Sequence, residues 1–547
     1  MFDPGKEGDM SNLVETGDAV ALDAEKSLPS KSYERKTIVA SSFGALLEWY
    51  DLYIYAALTA TFAELFFPPG NEVAAMLASL AIFGAAFILR PIGALLFGYF
   101  GDRYGRKRTF LATIWLMGVA TIGIGLLPTY AQIGVLAPVL LVTLRLAQGL
   151  ALGGEVGGAA TYLTENAAPG RRGFATSWLQ TTATIGLLLS IVVVTVVRLS
   201  MDNATFTAWG WRIPFVLSIV LLAVSVYLRR GLSESPVFTR MKSKGRVSEN
   251  PISASLSNGR NVRNMFILLF SVASGVGILY GTGHFYSAYF LANVLKVEPT
   301  TSNILMSCAL VLATPFYVLF GWLSDKIGRK WIMVSACLLA AVTTQPVFKG
   351  LTHFANPALE KFQSENTIVV EGSDCSFRLF SPAVTACDKT RNFLNGVGVT
   401  YTFKETPVGS PVRVEVAGAQ ITGFDAGALK AAMKQAGWPE TADLSQVNKP
   451  VVVLLLWYLV VLLTMVYGPI VSFMVELFPA HLRYTSLSLP FHIGSGWFGG
   501  MLPFVLTSIN AAQGSIYAGL WYPVIVLLVS FTVGALFIRE TRQNSID

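Results

Sequence analysis

Charged residues are scarce in this sequence of 547 amino acids. Asp, Glu, Lys and Arg together make up 13% of it, about half of the roughly 25% that is usual in soluble domains. Hydrophobic residues make up 53%, and the mean hydropathy is +0.56. So few charges cannot give several water-soluble domains a polar surface. This composition excludes a conventional soluble enzyme and a disordered protein.

Cysteine, histidine and catalytic motifs are also few. The chain has four Cys and four His, and four Cys are too few for a disulfide scaffold. It has no HExxH zinc pair, no GxSxG elbow and no Walker glycine loop, so we expect no enzyme, no metal site and no cofactor. The net charge of +7 comes without the basic and aromatic cluster of a nucleic-acid site. The first 36 residues lack the features of a secretory signal.

Long apolar stretches dominate the rest of the chain. A membrane-spanning helix needs about 20 mainly apolar residues, and twelve stretches approach or exceed that length. They are residues 37–67, 72–100, 109–128, 132–163, 174–199, 211–229, 264–295, 301–324, 331–350, 450–478, 484–511 and 518–538. Lys and Arg gather on alternate connections and near both ends of the series. By the positive-inside rule, both termini are expected in the cytoplasm.

Two polar segments interrupt this series. Residues 230–262 form a basic cytoplasmic linker between stretches six and seven. Residues 351–449 form an outer insertion, in which strand-like alternation and a helix-like segment predict a small mixed domain. Cys375 and Cys387 both lie in this insertion. An oxidising outer compartment would allow a disulfide between them, and two unpaired thiols remain the alternative, since sequence does not give the Cα separation.

The predicted fold is an all-α integral membrane protein of twelve transmembrane helices in two six-helix halves. A small mixed α/β outer domain is inserted between helices nine and ten. The expected parts are a cytoplasmic tail (1–36), a first half (37–229), the linker (230–262), a second half (263–350 and 450–539), the outer insertion (351–449) and a final cytoplasmic tail (540–547).

An internal repeat supports the division into halves. The segments GYFGDRYGRKR and GWLSDKIGRK share residues at an offset of 223, and a second pair of segments repeats at an offset of 311. The excess of 88 is close to the length of the outer insertion. The residues shared by the first pair include Gly98/Gly321, Asp102/Asp325, Gly105/Gly328 and Arg106/Arg329, and those of the second are Glu165/Glu476 and Arg172/Arg483. Such repeats are typical of secondary transporters, whose halves enclose a site near the membrane midplane.

These loops resemble the signature loop of the major facilitator superfamily, and RLAQGLALGGE at 145–155 resembles its fourth-helix motif. The segments ALLEWYDLYIY, FILRPIGALLFG and WGWRIPF resemble, more narrowly, the metabolite:proton symporter family. That family includes bacterial permeases for α-ketoglutarate, citrate, shikimate, and proline or betaine. The resemblance covers about residues 35–350 and 450–540, and it implies a bacterial inner membrane.

The paired loops are expected to form a cytoplasmic gate. Their glycines permit close helix approach and a tight turn, and Asp102 can accept hydrogen bonds from a helix N-terminus or pair with an Arg across the halves. A basic turn that only sets topology is the alternative. The candidate gate residues are Gly98, Asp102, Arg103, Gly105, Arg106, Glu165, Arg172, Gly321, Asp325, Gly328, Arg329, Glu476 and Arg483.

Charges at membrane depth are costly and therefore indicate function. Glu48 and Asp51 lie about 18 and 22 Å along a helix from Lys36, on one helix face with Tyr55. We assign proton coupling to Glu48, Asp51, Arg145 and Glu155, with Arg145 paired to Glu155 or Asp51. We assign substrate binding to Arg90, because a guanidinium binds carboxylates bidentately. Sequence alone does not separate the two roles, and a static ion pair is the alternative for each carboxylate.

The second half has few charges at membrane depth. Its candidates for substrate binding are Tyr280, His284 and His492, which join Tyr55 and Gln148 of the first half. Tyr280 and His284 are i, i+4 neighbours that can hydrogen-bond a solute, and structural histidines are the alternative. This asymmetry suits a small carboxylate-bearing substrate.

The sequence thus predicts a monomeric, multi-pass inner-membrane transporter that imports a small mono-, di- or tricarboxylate with H⁺, by alternating access. Its expected partners are this solute and the lipid bilayer. A proline or betaine transporter is the nearest alternative, and transport without ion coupling is another. A membrane sensor that uses the outer domain is more distant, because no cytoplasmic segment is large enough for an output module.

Overall fold

The computed structural model describes residues 31–68, 72–231, 233–373, 375 and 385–546. The first 30 residues of the predicted N-terminal tail and Asp547 of the final tail lie outside these ranges. The described chain is mostly helical. Its long helices are α1 (Lys31–Ala57), α2 (Glu72–Tyr104), α3 (Arg106–Leu126), α4 (Leu136–Glu165), α5 (Arg172–Leu199), α6 (Ile213–Arg230), α7 (Gly259–Val294), α8 (Pro299–Ile327), α9 (Lys330–Ala355), α10 (Lys449–Leu477), α11 (residues 483–513) and α12 (Trp521–Phe537).

Ten of these helices in the described chain are long and apolar enough to cross a membrane, and α1 and α11 are the two that do not meet that measure. Helix α1 contains Glu48 and Asp51, which lower its apolar content. Helix α11 is divided, because Arg483–His492 and Leu502–Gln513 are α-helical and Ile493–Gly500 between them is π-helical.

Helix α7 also contains π-helical turns, and the connections contain short helices. The π-helical turns are Leu269–Ala273, Gly281–Tyr286 and Phe290–Val294. The short α-helices are Thr59–Phe66, Tyr130–Ile133, Asn203–Ala208, Pro236–Ser243 and Pro251–Ser257, and the 3₁₀ turns are Gly210–Arg212 and Ala518–Leu520. Turns of the π type are rare and occur often at functional sites. Periodicity in the sequence gave no sign of them.

The helices pack as two bundles that meet along matching faces. In the first bundle α2 packs on α4, α1 on α5, and α3 on α4 and α6; in the second, α8 and α9 pack on α10, and α9 on α12. Between the bundles, α2 meets α11 and α5 meets α8. These are equivalent contacts with the two halves exchanged, because the second helix of each half meets the fifth helix of the other.

Small residues bring α2 and α4 unusually close. A Cβ at Gly149 would overlap the carbonyl oxygen of Ala86, and a Cβ at Gly153 would overlap that of Arg90. Small residues permit such backbone contact between membrane helices, where van der Waals packing drives association. The close approach holds the backbone of Arg90 against α4.

The linker between the halves is folded. The side chain of Asn258 accepts hydrogen bonds from the backbone N–H groups of Arg260 and Asn261, and this N-cap starts α7 at Gly259, inside the predicted linker. Earlier in the linker, Val237, Phe238 and Met241 are buried against Ala480 of the second half.

The insertion between α9 and α10 folds as a small α/β unit. Its helices are Pro357–Glu365, Ala386–Val397 and Ala426–Gln435, and its strands are β1 (Ile368–Gly372), β2 (Thr402–Glu405), β3 (Arg413–Val416) and β4 (Ala419–Thr422). The strand order is β2-β1-β3-β4, with β1 parallel to β2 and antiparallel to β3. Ile368, Val370, Val414 and Val416 alternate inward and form its core, as a half-buried sheet requires.

This unit is attached to the second half by polar contacts. Arg391 donates to the carbonyl oxygens of Ala511 and Ala512, at 3.2 and 2.8 Å. The backbone N–H of Tyr401 donates to Gly514 at 2.8 Å, and Nζ of Lys296 donates to Gly396 at 2.8 Å. The insertion therefore joins the ends of α7 and α11.

Within the unit, Cys375 and Cys387 form a disulfide with a Cα separation of 5.1 Å. Cys308 and Cys337 are free. We therefore expect the purified, denatured protein to titrate two thiols per chain before reduction and four after it. A Cys387→Ala variant should titrate three without reduction, because Cys375 loses its partner. Four thiols in the unreduced wild-type protein would contradict the bridge.

Candidate functional site

The first of the paired loops joins the two halves through a helix cap. Asp102, at the end of α2, accepts hydrogen bonds from the backbone N–H groups of Tyr484 and Thr485, at 3.3 and 2.9 Å. These donors lie in the first turn of α11, where N–H groups have no partner within the helix. Asp102 also lies 3.4 Å from Arg106. An acid of the first half thus caps a helix of the second.

The second paired loop repeats this arrangement with the halves exchanged. Asp325, at the end of α8, accepts hydrogen bonds from the backbone N–H groups of Gly173 and Phe174, both at 2.8 Å, in the first turn of α5. Asp325 lies 3.2 Å from Arg329. The offset of 223 residues in the sequence therefore corresponds to two equivalent contacts across the interface.

Four further charged residues extend these contacts into two equivalent groups of ion pairs, which together we call the paired-loop cluster. Glu165 pairs with Arg483 at 2.9 Å and lies 3.6 Å from Arg106. Glu476 pairs with Arg329 at 2.6 Å and with Arg172 at 3.4 Å. The Glu165–Arg483 and Arg172–Glu476 pairs both cross the interface between the halves. The residues at an offset of 311, Glu165 with Glu476 and Arg172 with Arg483, therefore occupy equivalent positions in the two halves.

The predicted glycines of the cluster fit its geometry. Gly105 and Gly328 have φ of 117° and 101°, in the region that side chains avoid. Gly98 lies against Thr485, and Gly321 against Ser177. Arg103 is the exception among the candidate gate residues. Its side chain is exposed. It donates to the hydroxyl of Tyr99 on α2 and to the carbonyl oxygen of Glu249 in the linker, and not to a residue of the second half.

Two acids of the cluster went unnoticed in the sequence. Glu234 accepts hydrogen bonds from the backbone N–H groups of Arg106 and Lys107 at the start of α3. Glu540 does the same for Arg329 and Lys330 at the start of α9. Each lies just after the last helix of its half. This matching position in the two halves is the sequence feature that could have identified them.

The candidate coupling residues form two separate groups in the interior of the first half. In one group, Asp51 accepts hydrogen bonds from Thr121 at 2.5 Å and Ser218 at 2.9 Å. Gln148 donates to Thr121 at 2.6 Å and accepts from Arg145 at 2.7 Å. The guanidinium of Arg145 lies 4.0 Å above the ring of Tyr55. Tyr55 and Gln148, predicted to bind substrate, thus lie in the Arg145 group.

Glu155 forms the second group, and its partner is Arg229 rather than Arg145. Arg229 contacts both carboxylate oxygens of Glu155, at 2.5 and 3.4 Å, and donates to the carbonyl oxygen of Phe110 at 3.0 Å. Thr113 donates to Glu155 at 2.8 Å. A Cβ on Gly44 would overlap the guanidinium of Arg229, so Gly44 makes room for it. From the sequence, we took Arg229 only as one of the positively charged residues near the loops that set the membrane topology.

Glu48 and Arg90 are two further buried charges of the first half, 5% and 7% exposed. Nε and Nη2 of Arg90 have no hydrogen-bond partner among the described residues. Glu48 lines a small cavity with Glu155 and lies within electrostatic reach of Arg90 and Arg229. The guanidinium of Arg90 lies 4.2 Å from the centre of the Phe87 ring.

An aromatic cluster of both halves surrounds this pair. Tyr280 stacks on His284 at 4.5 Å, lies 5.4 Å from Trp49 and shares a hydroxyl contact with Tyr53. Tyr280 and Tyr467 lie within electrostatic reach of Arg90, as does His492. The structure therefore brings the predicted residues Arg90, Tyr280, His284 and His492 into one region between the halves. The structure adds Trp49, Tyr53, Phe87 and Tyr467 to this region. In the sequence, they stood out only as aromatic residues within apolar stretches.

The described residues contain no group of three or more His, Cys, Asp or Glu side chains placed to hold a metal ion.

The helix caps of the paired-loop cluster give a testable expectation. Asp102→Asn keeps the shape but removes the charge that favours the α11 N-terminus, so the halves should separate more readily at this face. Distances between spin labels at Arg108→Cys and Lys326→Cys, in a background without the free cysteines, should shift to longer values. Arg103→Gln, in the same loop but exposed, serves as the control. Unchanged distances in Asp102→Asn would show that the cap does not hold the halves together.

Comparison with known proteins places these features in a family. Residues 36–265 match the model of the sugar (and other) transporter family. The chain is 37% identical to the α-ketoglutarate permease of Escherichia coli over 61% of its own length and 76% of that protein. It is 32% identical to the shikimate transporter of E. coli over 73% of its length and 89% of that protein. It is also 34% identical, over 61% of its length and 70% of the relative, to a protein of Staphylococcus aureus provisionally named a proline/betaine transporter.

The same fold occurs in a solved structure. The proton:xylose symporter XylE of E. coli aligns with a TM-score of 0.65 and 16% identity, over 95% of this chain and 98% of that one. The resemblance predicted from the paired loops and the fourth-helix motif is confirmed by these relatives. The chain is a multi-pass membrane transporter of small molecules and not an enzyme, and it belongs to the metabolite:proton symporter family of the major facilitator superfamily.

Proposed function

We propose that this protein imports a small organic acid together with H⁺, by alternating access. The observation that carries the proposal is the buried pair Arg90 and Glu48, which lie within electrostatic reach of each other, with Nε and Nη2 of Arg90 lacking a hydrogen-bond partner among the described residues. Arg90 offers a guanidinium to a carboxylate. Glu48 offers a carboxylate to a proton.

Charge balance links the two events. The interior of the first half contains three acids, Glu48, Asp51 and Glu155, and three cations, Arg90, Arg145 and Arg229, among its described residues. With all six ionised, the region is neutral. An anion that binds Arg90 adds one negative charge, and an uncompensated charge in such a medium is strongly unfavourable. Protonation of Glu48 restores neutrality, so acid and proton bind together.

The other two acids are held in fixed roles. Asp51 receives two hydroxyl hydrogen bonds beside Arg145, and Glu155 receives Arg229 and Thr113. Asp51 and Glu155 thus already have side-chain partners. We therefore assign proton binding to Glu48, and Asp51, Glu155 and Arg145 set the charge around it.

We further propose twelve membrane helices in a bacterial inner membrane, with α1 and α11 as the two additional spans. Both termini and the paired-loop cluster then face the cytoplasm, as the distribution of Lys and Arg favours. The insertion lies on the outer side, where its disulfide suits an oxidising compartment. The paired-loop cluster is the cytoplasmic gate, which must open before the substrate leaves. No cofactor takes part, H⁺ is the coupling ion and the transporter works as a monomer.

A zwitterionic osmolyte is the second candidate. The rings of Trp49, Tyr53 and Tyr280 form an aromatic surface that can bind a quaternary ammonium group by cation–π attraction. One relative is also provisionally named for proline or betaine. A zwitterion brings no net charge, so it gives Glu48 no electrostatic reason to take up a proton.

Uptake into proteoliposomes tests the proposal. Labelled α-ketoglutarate, citrate, shikimate, proline and betaine are offered with and without an inward proton gradient. The proposal expects acid uptake that depends on the gradient. Gradient-dependent uptake of betaine or proline alone would favour the osmolyte. Acid uptake that is equal with and without the gradient would contradict proton coupling.

Glu48→Gln should separate coupling from binding. Because the amide cannot release a proton, the variant should lose gradient-driven uptake, while exchange of internal for external substrate continues. Glu64→Gln, an exposed acid of the same half, should leave both activities unchanged. Gradient-driven uptake that survives in Glu48→Gln would contradict its role.

Arg90→Gln should instead impair substrate binding. Loss of one partner of a buried charge pair costs roughly 2–5 kcal/mol, so we expect KM for exchange to rise by about 30-fold or more. The measurement is the concentration dependence of exchange, which does not rely on the gradient. Lysine keeps the charge without the bidentate geometry, and Arg90→Lys should therefore lie between the wild type and Arg90→Gln.

A further inference from the structure

Tyr484 is a fully buried side chain of the second half that enters the first half. It lies in the first turn of α11. A Cβ on Gly101 of α2 would lie 2.0 Å from its ring, a Cβ on Gly157 of α4 would lie 2.9 Å from the ring, and one on Gly158 would lie 2.5 Å from the hydroxyl oxygen. The ring therefore needs glycine at all three positions. We call the space between these glycines the glycine slot.

The hydroxyl group of Tyr484 reaches the buried charges of the first half. It donates to the carbonyl oxygen of Gly154 on α4 at 2.5 Å. The next residue of α4 is Glu155, which pairs with Arg229, and Tyr484 lies within electrostatic reach of both. The backbone N–H of Tyr484 donates to Asp102 at 3.3 Å. One residue thus joins the helix cap of α11 to the segment of α4 that holds Glu155.

The helix cap itself does not explain the tyrosine. At the offset of 311 residues, Gly173 of α5 corresponds to Tyr484. The backbone N–H of Gly173 donates to Asp325 at 2.8 Å, so glycine serves the equivalent cap. A Cβ on Gly173 would lie 2.4 Å from the carbonyl oxygen of Gly321, and a larger residue has no room there. The contact into the helix interior therefore occurs on one side only, the side of the half that contains the buried acids.

From these observations we propose that Tyr484 is a positioning residue that links closure of the interface between the halves to the position of α4 at Glu155. While Asp102 caps α11, the hydroxyl of Tyr484 holds the backbone of α4 at Gly154. When α11 moves away, the hydroxyl leaves the glycine slot and releases α4 beside the Glu155–Arg229 pair. Coupling between two sites is reciprocal, so a change of charge at Glu155 also alters the hold on Tyr484. The role of Glu155 in coupling rests on the function proposed above.

A double-mutant cycle with Tyr484→Phe and Glu155→Gln tests this link in the full-length protein. The readout is the ratio of short to long distances between spin labels at Arg108→Cys and Lys326→Cys, in the background without the free cysteines. Phenylalanine keeps the ring and removes only the hydroxyl, so we expect the ratio to fall by about 5-fold, the usual effect of one hydrogen bond. In the Tyr484→Phe background, the effect of Glu155→Gln should be at least about 3-fold smaller than in the wild type.

Two outcomes of the cycle would overturn the proposal. One is an unchanged distance ratio in Tyr484→Phe. The other is a pair of effects that multiply within about 2-fold, as those of independent sites do. Tyr517→Phe is the matched control, because it removes a hydroxyl that donates to Thr352 at 2.6 Å within the second half. We expect this control to keep the wild-type ratio, and a change equal to that of Tyr484→Phe would also overturn the link.

A milder variant replaces Glu155→Gln if that protein does not fold, since Arg229 then loses its charged partner. Thr113→Val removes one hydrogen bond to Glu155, of 2.8 Å, and leaves the ion pair in place. The same dependence on Tyr484 is expected. Effects of Thr113→Val and Tyr484→Phe that multiply independently would contradict the link in the same way.

The pH dependence of the distance ratio separates this inference from the proposed function. If Glu48 binds the coupled proton, the wild-type ratio should change with pH, and Tyr484→Phe should reduce that change. The same pH dependence in both proteins would overturn the link and leave proton coupling standing. A wild-type ratio that is independent of pH would count against proton coupling, and the double-mutant cycle would still decide the link. The titratable and charged groups around Glu48 are Glu155, Asp51, Arg90, Arg229 and Tyr467.

Discussion

The cost of a charge in the membrane interior controls the arrangement of the first half. A buried charge without a partner costs several kcal/mol, so each ionised group there must be met by an opposite charge or by hydrogen-bond donors. Arg229 and Thr113 satisfy Glu155, and Thr121 and Ser218 satisfy Asp51. Satisfying these groups fixes α1, α3, α4 and α6 relative to one another. Glu48 and Arg90 are the pair to which we assign proton and substrate binding.

The interface between the halves is built from contacts that are individually modest. A side-chain cap of a helix N-terminus contributes about 1 kcal/mol, and a nearby anion adds roughly 0.3–1 kcal/mol, up to about 2 when partly buried. Two such acids, Asp102 and Asp325, therefore supply an energy of the same order as the few kcal/mol that separate alternative conformations of one protein. The Glu165–Arg483 and Arg172–Glu476 pairs cross the same interface as the caps.

The insertion is anchored on the second half. Its contacts run from Arg391 to the end of α11 and from Gly396 to Lys296 at the end of α7. Both anchoring points belong to the second half. Helices α7 and α11 also contain π-helical turns; His284 lies within one of them, and His492 directly precedes another. The insertion thus restrains the ends of the two helices that bring second-half residues to the candidate substrate site.

The sequence by itself determined the class of protein, the repeat and the identity of the acids and cations at membrane depth, with the exception of Arg229. Apolar length, charge distribution and residue offsets are properties of the chain, so they can be read without coordinates. The partner of Glu155 could not be read in this way. Arg229 is 74 residues away, and helix periodicity gives the face of one helix but not which neighbour packs on it. The tertiary structure decided that pairing, the placement of Tyr55 and Gln148 with Arg145, and the aromatic surface beside Arg90. Each depends on the rotation and close approach of helices, which glycines such as Gly44, Gly149 and Gly153 allow and which no single helix specifies.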